Sequence, residues 1–134
     1  MAETNTLELV TPERKVLTET VDGVVLPGSE GSLGVLPGHA PLLTMLGEGE
    51  LTWTRDGQTH HLAASGGYAE ILPDRVIVLA ATSERAEEID PERAKAKVEK
   101  YEEEIRQADP GTDVDVIQHR IRKHLTRVQV AGRR

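Results

Sequence analysis

The stretch Gly31-Ser32-Leu33-Gly34-Val35-Leu36-Pro37-Gly38-His39-Ala40-Pro41-Leu42-Leu43 decides the fold of this chain. Its three glycines, Gly31, Gly34 and Gly38, let the backbone reach positive φ, and its two prolines fix φ and remove hydrogen-bond donors. This spacing predicts a rigid, repeatedly bent ribbon instead of a helix or a plain strand. Because the rest of the chain carries no catalytic motif, function has to be inferred from this ribbon and from the contrast between the two parts of the chain.

Residues up to about 84 have the pattern of short strands separated by turns. Leu7-Glu8-Leu9 alternates apolar and polar residues, which is typical of a half-buried strand. Asp56-Gly57 predicts a tight hairpin, and Pro73-Asp74 predicts a second one. Ser65-Gly66-Gly67 interrupts a strand, where glycine most often marks a bulge or a close approach of the backbone. Together these signals predict an antiparallel sandwich or barrel.

After residue 88 the apolar period changes to that of helices. Asp90 can cap a helix that has Pro91 at its first position. An apolar stripe follows at spacings of three and four residues, formed by Ala94, Val98, Tyr101, Ile105 and Ala108. Beyond the breaker Asp109-Pro110-Gly111-Thr112, a second stripe is formed by Val114, Ile117, Ile121, Leu125 and Val128. The pattern predicts an antiparallel hairpin that is marginal by itself.

Composition limits the class of protein. The 134 residues include 37% hydrophobic and 2% aromatic side chains, with no Phe and no Cys, so the core must be aliphatic and disulfides are excluded. No apolar run approaches the roughly 20 residues of a membrane span. The acidic start lacks the features of a signal or transit peptide, so we expect neither export nor organelle import.

Charge is unevenly distributed along the chain. The net charge is −7 for the whole chain, −7 for residues 1–83, −4 for 84–111 and +4 for 112–134. In the last segment Arg120, Lys123 and Arg127 are spaced to share one helix face, roughly opposite the apolar stripe. This cationic face indicates either an anionic partner or a solvated surface. Nucleic acid is a poor candidate because the protein is acidic and lacks aromatic residues for stacking.

No residue pattern supports catalysis or a metal site. The chain lacks cysteine, a nucleophile-elbow serine and a phosphate-binding Gly-Lys-Ser/Thr loop. His60 and His61 are adjacent, so on a strand they point to opposite faces, and His119 and His124 lie five residues apart on a helix. We therefore expect no catalytic residue and no metal ligand. His39 has two interpretations, a ring that stabilises its own turn or an exposed contact to a partner.

Several segments in this order resemble the epsilon subunits of bacterial F-type ATP synthases, over essentially the whole chain. The segments are the ribbon Gly31 to Leu43, Pro27-Gly28-Ser29-Glu30, Ser65-Gly66-Gly67-Tyr68, Val76-Ile77-Val78-Leu79-Ala80 and Glu84-Arg85-Ala86-Glu87-Glu88-Ile89-Asp90. The resemblance implies a flattened antiparallel β-sandwich over residues 1–86, followed by an antiparallel two-helix hairpin over residues 87–134.

The resemblance also implies a role. Such a subunit is a non-catalytic part of the rotor in the central stalk, couples proton translocation to ATP synthesis and inhibits ATP hydrolysis through its C-terminal helices. The implied partners are the gamma subunit, the c-subunit ring, and the alpha and beta subunits of the catalytic head. The implied location is peripheral, on the cytoplasmic face of the bacterial plasma membrane, and no cofactor is required.

Site residues follow from the same resemblance. Ser32, Leu33 and His39 become candidates for contacts with gamma and the c ring, although the family often has Glu where this chain has Ser32. Arg120, Lys123 and Arg127 become candidates for an inhibitory contact with an acidic segment of beta.

Some members of this family bind a regulatory ATP at the folded hairpin. The corresponding positions here are Glu84, Asp90, Arg93, Ala94, Lys123 and Arg127. Lys123 stands where the family pattern has an arginine, and lysine cannot make the same planar bidentate contact. The alternative is that Asp90 serves only as a helix cap.

The residues bear on two other classes of function. A free-standing ligand-binding module, with the hairpin as a lid over a nucleotide, predicts a stable monomer with measurable affinity for ATP. An enzyme is excluded because the sequence offers no nucleophile, metal cluster or cofactor loop.

Overall fold

The computed structural model describes residues 4–133, which form two compact units. The first unit ends at Ser83 and the second begins at Glu84. The domain boundary expected at residue 86 stays a prediction. The strands are β1 (Asn5–Val10), β2 (Lys15–Val21), β3 (Gly23–Gly28), β4 (Gly31–Val35), β5 (Leu42–Met45), β6 (Gly49–Arg55), β7 (Gln58–Ile71) and β8 (Arg75–Arg85). The helices are α1 (Pro91–Arg106) and α2 (Val114–Ala131), preceded by a single 3-10 turn, Ala86–Glu88.

The strands form one continuous sheet in the order β2-β1-β8-β7-β6-β3-β4, and β5 pairs with the second half of β7. The predicted β-sandwich followed by two helices is confirmed. One ladder departs from the antiparallel pattern, since β1 and β8 run parallel from Thr6 opposite Arg75 to Val10 opposite Leu79. Apolar alternation along a strand carries no information on its direction, which is why the sequence did not reveal this pair.

The core of the sandwich follows from strand alternation. In β1 every second residue is buried, so Leu7 and Leu9 face inward and Glu8 does not. Strands β6 and β8 follow the same rule. The largest fully buried aliphatic side chains of this unit are Leu7, Leu9, Val21, Leu26, Val35, Leu51, Leu62, Ile71, Val76 and Val78.

Strand β7 changes its partner at Gly66 and Gly67. Residues 58–64 pair with β6, and residues 68–71 pair with β5. Between them Gly66 and Gly67 have φ of 67° and 102°, and a Cβ on Gly67 would lie 1.8 Å from the carbonyl oxygen of Leu79. Only glycine fits such an approach. Of the two interpretations of Ser65-Gly66-Gly67, a bulge or a close approach of the backbone, this contact shows the close approach.

Both predicted hairpins are present. Asp56 and Gly57 connect β6 to β7 with φ of 52° and 78°, the positive values that a two-residue turn requires. At Pro73-Asp74, the amide of Leu72 donates to the carbonyl of Arg75 over 2.8 Å.

The glycine- and proline-rich ribbon is more regular than its sequence suggests. Gly31–Val35 is strand β4, and Leu42 and Leu43 begin β5, so the prediction of a bent ribbon without plain strand is wrong at both ends. Gly31 and Gly38 have positive φ, but Gly34 does not, because it pairs with Val25 in the β3–β4 ladder. The bend itself is confined to residues 36–41, where the Gly38 amide donates to the Pro73 carbonyl over 2.8 Å.

The two helices begin where their caps predict. Asp90 accepts from the Arg93 amide at 3.1 Å, with Pro91 in the first helical position, and Asp113 caps α2 through the Val116 amide at 3.3 Å. The helices pack against one another around Val98 and Ile117. The predicted stripe of α2 is only partly correct, since Leu125 is half exposed while Val130, outside the stripe, is fully buried.

Candidate functional site

An exposed apolar face lies on the outer side of strands β5, β7 and β8. Met45 and Tyr68 stand directly opposite one another in the β5–β7 ladder and are 57% and 50% exposed. Leu43 lies on the same side of β5 as Met45, and Leu79 is exposed on β8. We call these four side chains the apolar face. Contiguous exposed apolar side chains of this kind mark interaction surfaces in soluble proteins.

A cavity of about 350 Å³ adjoins the apolar face and is lined in part by Val10, Pro12 and Leu79. The sequence contained a signal for this surface that the predictions did not use. In Leu42-Leu43-Thr44-Met45, apolar residues occupy both sides of a short strand, so at least one side had to be exposed or covered by a partner.

A second exposed apolar area occurs on a different part of the sandwich. Val25 and Leu36 line a separate cavity of about 330 Å³, together with Gly34 and Thr52. It provides a matched control surface for tests of the apolar face.

The three ribbon residues proposed for partner contacts occupy different environments. Ser32 is exposed on β4, the last strand in the sheet order. Leu33 is half-buried and packs against the sandwich core, so much of its side chain is already covered. His39 lies with its Nδ1 2.6 Å from the carbonyl oxygen of Ala40, a contact that fits the turn-stabilising interpretation. The partner-contact interpretation of all three stays a prediction.

In the helical unit, the cations of α2 are not equivalent. Arg127 Nη2 donates to Glu84 Oε2 over 2.9 Å, and Arg127 Nε lies 2.7 Å from Glu84 Oε1. The Nε–H bond is not aligned with that oxygen, so the second contact is an ion pair without a hydrogen bond. The two side chains are only 18% and 32% exposed. The Arg127 guanidinium is therefore paired with a carboxylate of its own unit. The cationic face predicted from the sequence required this guanidinium to be free.

Arg120 and Lys123 are placed differently from Arg127. The guanidinium of Arg120 lies 5.8 Å from the centre of the Tyr101 ring of α1 and is otherwise exposed. Lys123 is half-buried. The three cations share a helix, but only Arg120 presents its side chain largely to solvent.

The positions matched to an ATP site are only partly assembled. Glu84 and Arg127 are joined to each other, Asp90 Oδ1 is engaged by the Arg93 amide, and Ala94 is fully buried. The Arg127 guanidinium is thus already engaged by Glu84, which neutralises charge that an ATP phosphate would otherwise meet. Binding of a regulatory ATP at Glu84, Asp90, Arg93, Ala94, Lys123 and Arg127 stays a prediction.

The adjacent histidines of β7, His60 and His61, lie on opposite faces of the sheet. His60 stacks on Trp53 with ring centroids 5.4 Å apart, while His61 Nδ1 lies 3.1 Å from Glu50 Oε2 on the other face of the sheet. The predicted opposition of these two rings is confirmed. Within residues 4–133 no group of three or more His, Cys, Asp or Glu side chains has a metal-binding arrangement.

The sequence patterns did not indicate a contact between His124 and Tyr101. Their rings stack across α1 and α2 with centroids 5.9 Å apart.

Neither described helix combines the length and the apolar content that crossing a membrane requires.

Comparison with known proteins gives consistent results. Residues 4–86 match the family model described as the beta-sandwich domain of the ATP synthase delta/epsilon chain. An ATP synthase epsilon chain from Geotalea daltonii is 48% identical over 134 residues, covering 99% of this chain and 97% of that protein. One from Desulforamulus reducens is 42% identical over 131 residues, covering 98% and 99%.

Solved structures agree in fold. A chain of the Euglena gracilis mitochondrial ATP synthase, in a structure of OSCP, F1 and c-ring, has a TM-score of 0.79 at 23% identity, covering 98% of this chain and 82% of that one. A chain of the Tetrahymena thermophila mitochondrial ATP synthase, from a structure of the central stalk and c-ring, has a TM-score of 0.57 at 14% identity, covering 98% and 96%. The family match and the full-length relatives together show that this chain belongs to the ATP synthase epsilon chains, a non-catalytic subunit of that complex.

Proposed function

We propose that this chain is a rotor subunit of a proton-translocating F-type ATP synthase, in which the sandwich is the anchor and the helical pair is a brake on ATP hydrolysis. The observation that carries the proposal is the exposed apolar face on the sandwich of an epsilon-chain family member. The chain would work peripherally, on the cytoplasmic face of the bacterial plasma membrane, between the c-subunit ring and the alpha and beta subunits of the catalytic head.

The anchor consists of the apolar face docked on the gamma subunit. Met45 and Tyr68 are half-exposed on paired strands, so the backbone that carries them is already ordered before a partner covers them. Large apolar and aromatic side chains at the centre of an interface dominate binding energy. Ser32, Leu33 and His39, which belong to the ribbon, are proposed to contact gamma and the c ring.

The anchor is tested by a charge in the apolar face. Met45→Glu should weaken binding of the purified full-length chain to the gamma-containing complex by at least about tenfold, because an unpaired carboxylate would be buried in an apolar interface. Val25→Glu, at the second exposed area, should weaken binding much less than Met45→Glu does. Equal binding by the two variants would show that the apolar face is not the anchor.

The brake acts through a change in the helical pair. We call the arrangement in which α1 and α2 pack together and Glu84 binds Arg127 the closed pair. Arg120, Lys123 and Arg127 can bind a partner as one cationic set only when the contact between Glu84 and Arg127 opens. Opening would let α2 extend along gamma and present its charges to an acidic segment of beta. A ligand or condition shifts the two states only by its differential affinity for them.

Two sets of substitutions give opposite expectations for the brake. Replacing Arg120, Lys123 and Arg127 by Ala should relieve inhibition of ATP hydrolysis, because the charges are gone. Glu84→Ala should strengthen inhibition, because it releases Arg127 and retains every cation. If both variants change hydrolysis in the same direction, or neither changes it, the ionic brake is wrong.

A further inference from the structure

A small polar cluster connects the two helices at His124. The ring of His124 on α2 stacks on Tyr101 of α1, with an angle of 26° between the ring planes. Arg127 Nη1 lies 3.1 Å from His124 Nδ1. The same Arg127 guanidinium binds Glu84, so one side chain joins the end of β8 to the centre of the helical pair.

The chemistry of this contact sets the protonation state of His124. An arginine guanidinium can only donate hydrogen bonds, so His124 Nδ1 has to be the acceptor. An acceptor nitrogen carries no proton. His124 is therefore neutral in this arrangement, with its proton on Nε2.

The charges that face His124 oppose a positive imidazole. Its surroundings contribute Lys97 from α1 and Lys123 and Arg127 from α2, against the carboxylate of Glu84 at the end of β8. Arg120 and Lys100 add two cations, each 5.8 Å from the centre of the Tyr101 ring on which His124 stacks. The one carboxylate in this set is already engaged by Arg127.

We propose that His124 is a pH-sensitive latch, which closes the α1–α2 pair when neutral and opens it when protonated. Protonation removes the lone pair that accepts from Arg127 and places a cation beside Lys97, Lys123 and Arg127. The hydrogen bond is lost and Arg127 is repelled from its position. This inference rests on the contacts within the helical unit and does not depend on the proposed brake.

The direction of the pH effect follows from linkage. Burial lowers the pKa of His124, as do the charges of Arg127, Lys123 and Lys97. The unfolded chain, with a histidine pKa of about 6.5, therefore takes up the proton before the closed pair does. The free energy that neutral His124 contributes to the closed pair is fully present above the histidine pKa of the unfolded chain. It is lost as the pH falls toward the lowered pKa of His124 in the closed pair. The opening constant should rise by up to about tenfold for each pH unit in that window.

Nuclear magnetic resonance on the full-length protein tests the latch directly. At pH 7.5 the ring nitrogen shifts of His124 should identify the Nε2–H tautomer, and its titration should give a pKa below 6.5. Hydrogen exchange of α2 amides, corrected for intrinsic rates, should show an opening constant that rises between pH 7 and pH 5.

Two matched variants distinguish a latch at His124 from a general destabilisation of the protein by acid. His124→Gln keeps an acceptor for Arg127 but cannot be protonated, so the rise between pH 7 and pH 5 should disappear. His119→Gln, at an exposed position of the same helix, should keep the rise. An Nδ1–H tautomer, a pKa of 6.5 or above, or the same pH dependence in His124→Gln and wild type would each overturn the proposal.

Discussion

The sandwich and the helical unit are stabilised by different kinds of contact. In the sandwich, the core joins residues from Leu7 to Ala80 into one apolar cluster of fully or nearly fully buried side chains. In the helical unit fewer side chains are buried, among them Ile89, Ile117 and Val130, and polar contacts between Glu84, Arg127 and His124 connect the elements. A large apolar core resists local opening, whereas charged contacts respond to ligands, salt and pH.

This difference would allow one chain to combine the proposed anchor with a part that moves. Most of the stability of a helix in a protein comes from the packing of its apolar face, so α1 and α2 depend on their packing and on the polar cluster. In the sandwich, β1 pairs with β8 and β3 pairs with β6, although these strands are far apart in the sequence, and a single strand cannot open without exposing the core. The helical unit is therefore expected to change state while the sandwich remains folded.

The largest expected effect is in the sandwich core. Leu51→Ala, at a side chain with no exposed surface, should lower the free energy of unfolding by about 2–5 kcal/mol, because the substitution leaves a cavity. Denaturant unfolding followed by the fluorescence of Trp53, the single tryptophan, measures it. Leu36→Ala, at a side chain that is 69% exposed, should change stability by less than about 0.5 kcal/mol. A small effect at Leu51 would contradict a tightly packed core.

An intermediate effect is expected at the ion pair of the helical unit. Glu84→Ala and Arg127→Ala should each destabilise the closed pair by about 1–3 kcal/mol, because each leaves a half-buried charged partner without its contact. The double variant should show a coupling energy above about 0.5 kcal/mol. Local exchange of α2 amides is the measurement, and Trp53 fluorescence should report an unchanged sandwich. Additive effects would mean that the pair is not an energetic contact.

The smallest expected effect is at the helix caps. Asp90→Ala should destabilise α1 by about 1 kcal/mol, because the Arg93 amide loses its acceptor. Asp113→Ala tests the equivalent cap of α2. Each should accelerate exchange in its own helix without altering the strands. Faster exchange throughout the sandwich would show that the two units unfold together.

Much of the fold could be predicted from local sequence patterns. Asp56-Gly57 fixed a hairpin because its two positions need positive φ, and Asp90-Pro91 marked the start of α1 through capping chemistry. These signals lie within a few residues of one another. The prediction that the ribbon contains no plain strand was wrong because glycine permits positive φ without requiring it. Gly34 adopts an ordinary strand conformation.

The candidate site was less predictable because its contacts join distant positions. Glu84 and Arg127 are 43 residues apart, and no spacing rule connects them. The stacking of His124 on Tyr101 depends on the rotation of two helices about their axes. The apolar face arises from Met45 and Tyr68 meeting across a ladder, which the sequence of either strand alone does not show.

The contrast between the two units is tested most directly by native-state hydrogen exchange on the full-length protein at pH 7.5. Amides of α1 and α2 are expected to exchange through local opening, with opening constants at least about tenfold larger than those of core strands β1, β6 and β8. In that case the helical pair opens while the sandwich remains folded. If the helices and these strands exchange with one common opening constant, the chain unfolds as a single unit, and a sandwich anchor with a separately movable helical pair is contradicted.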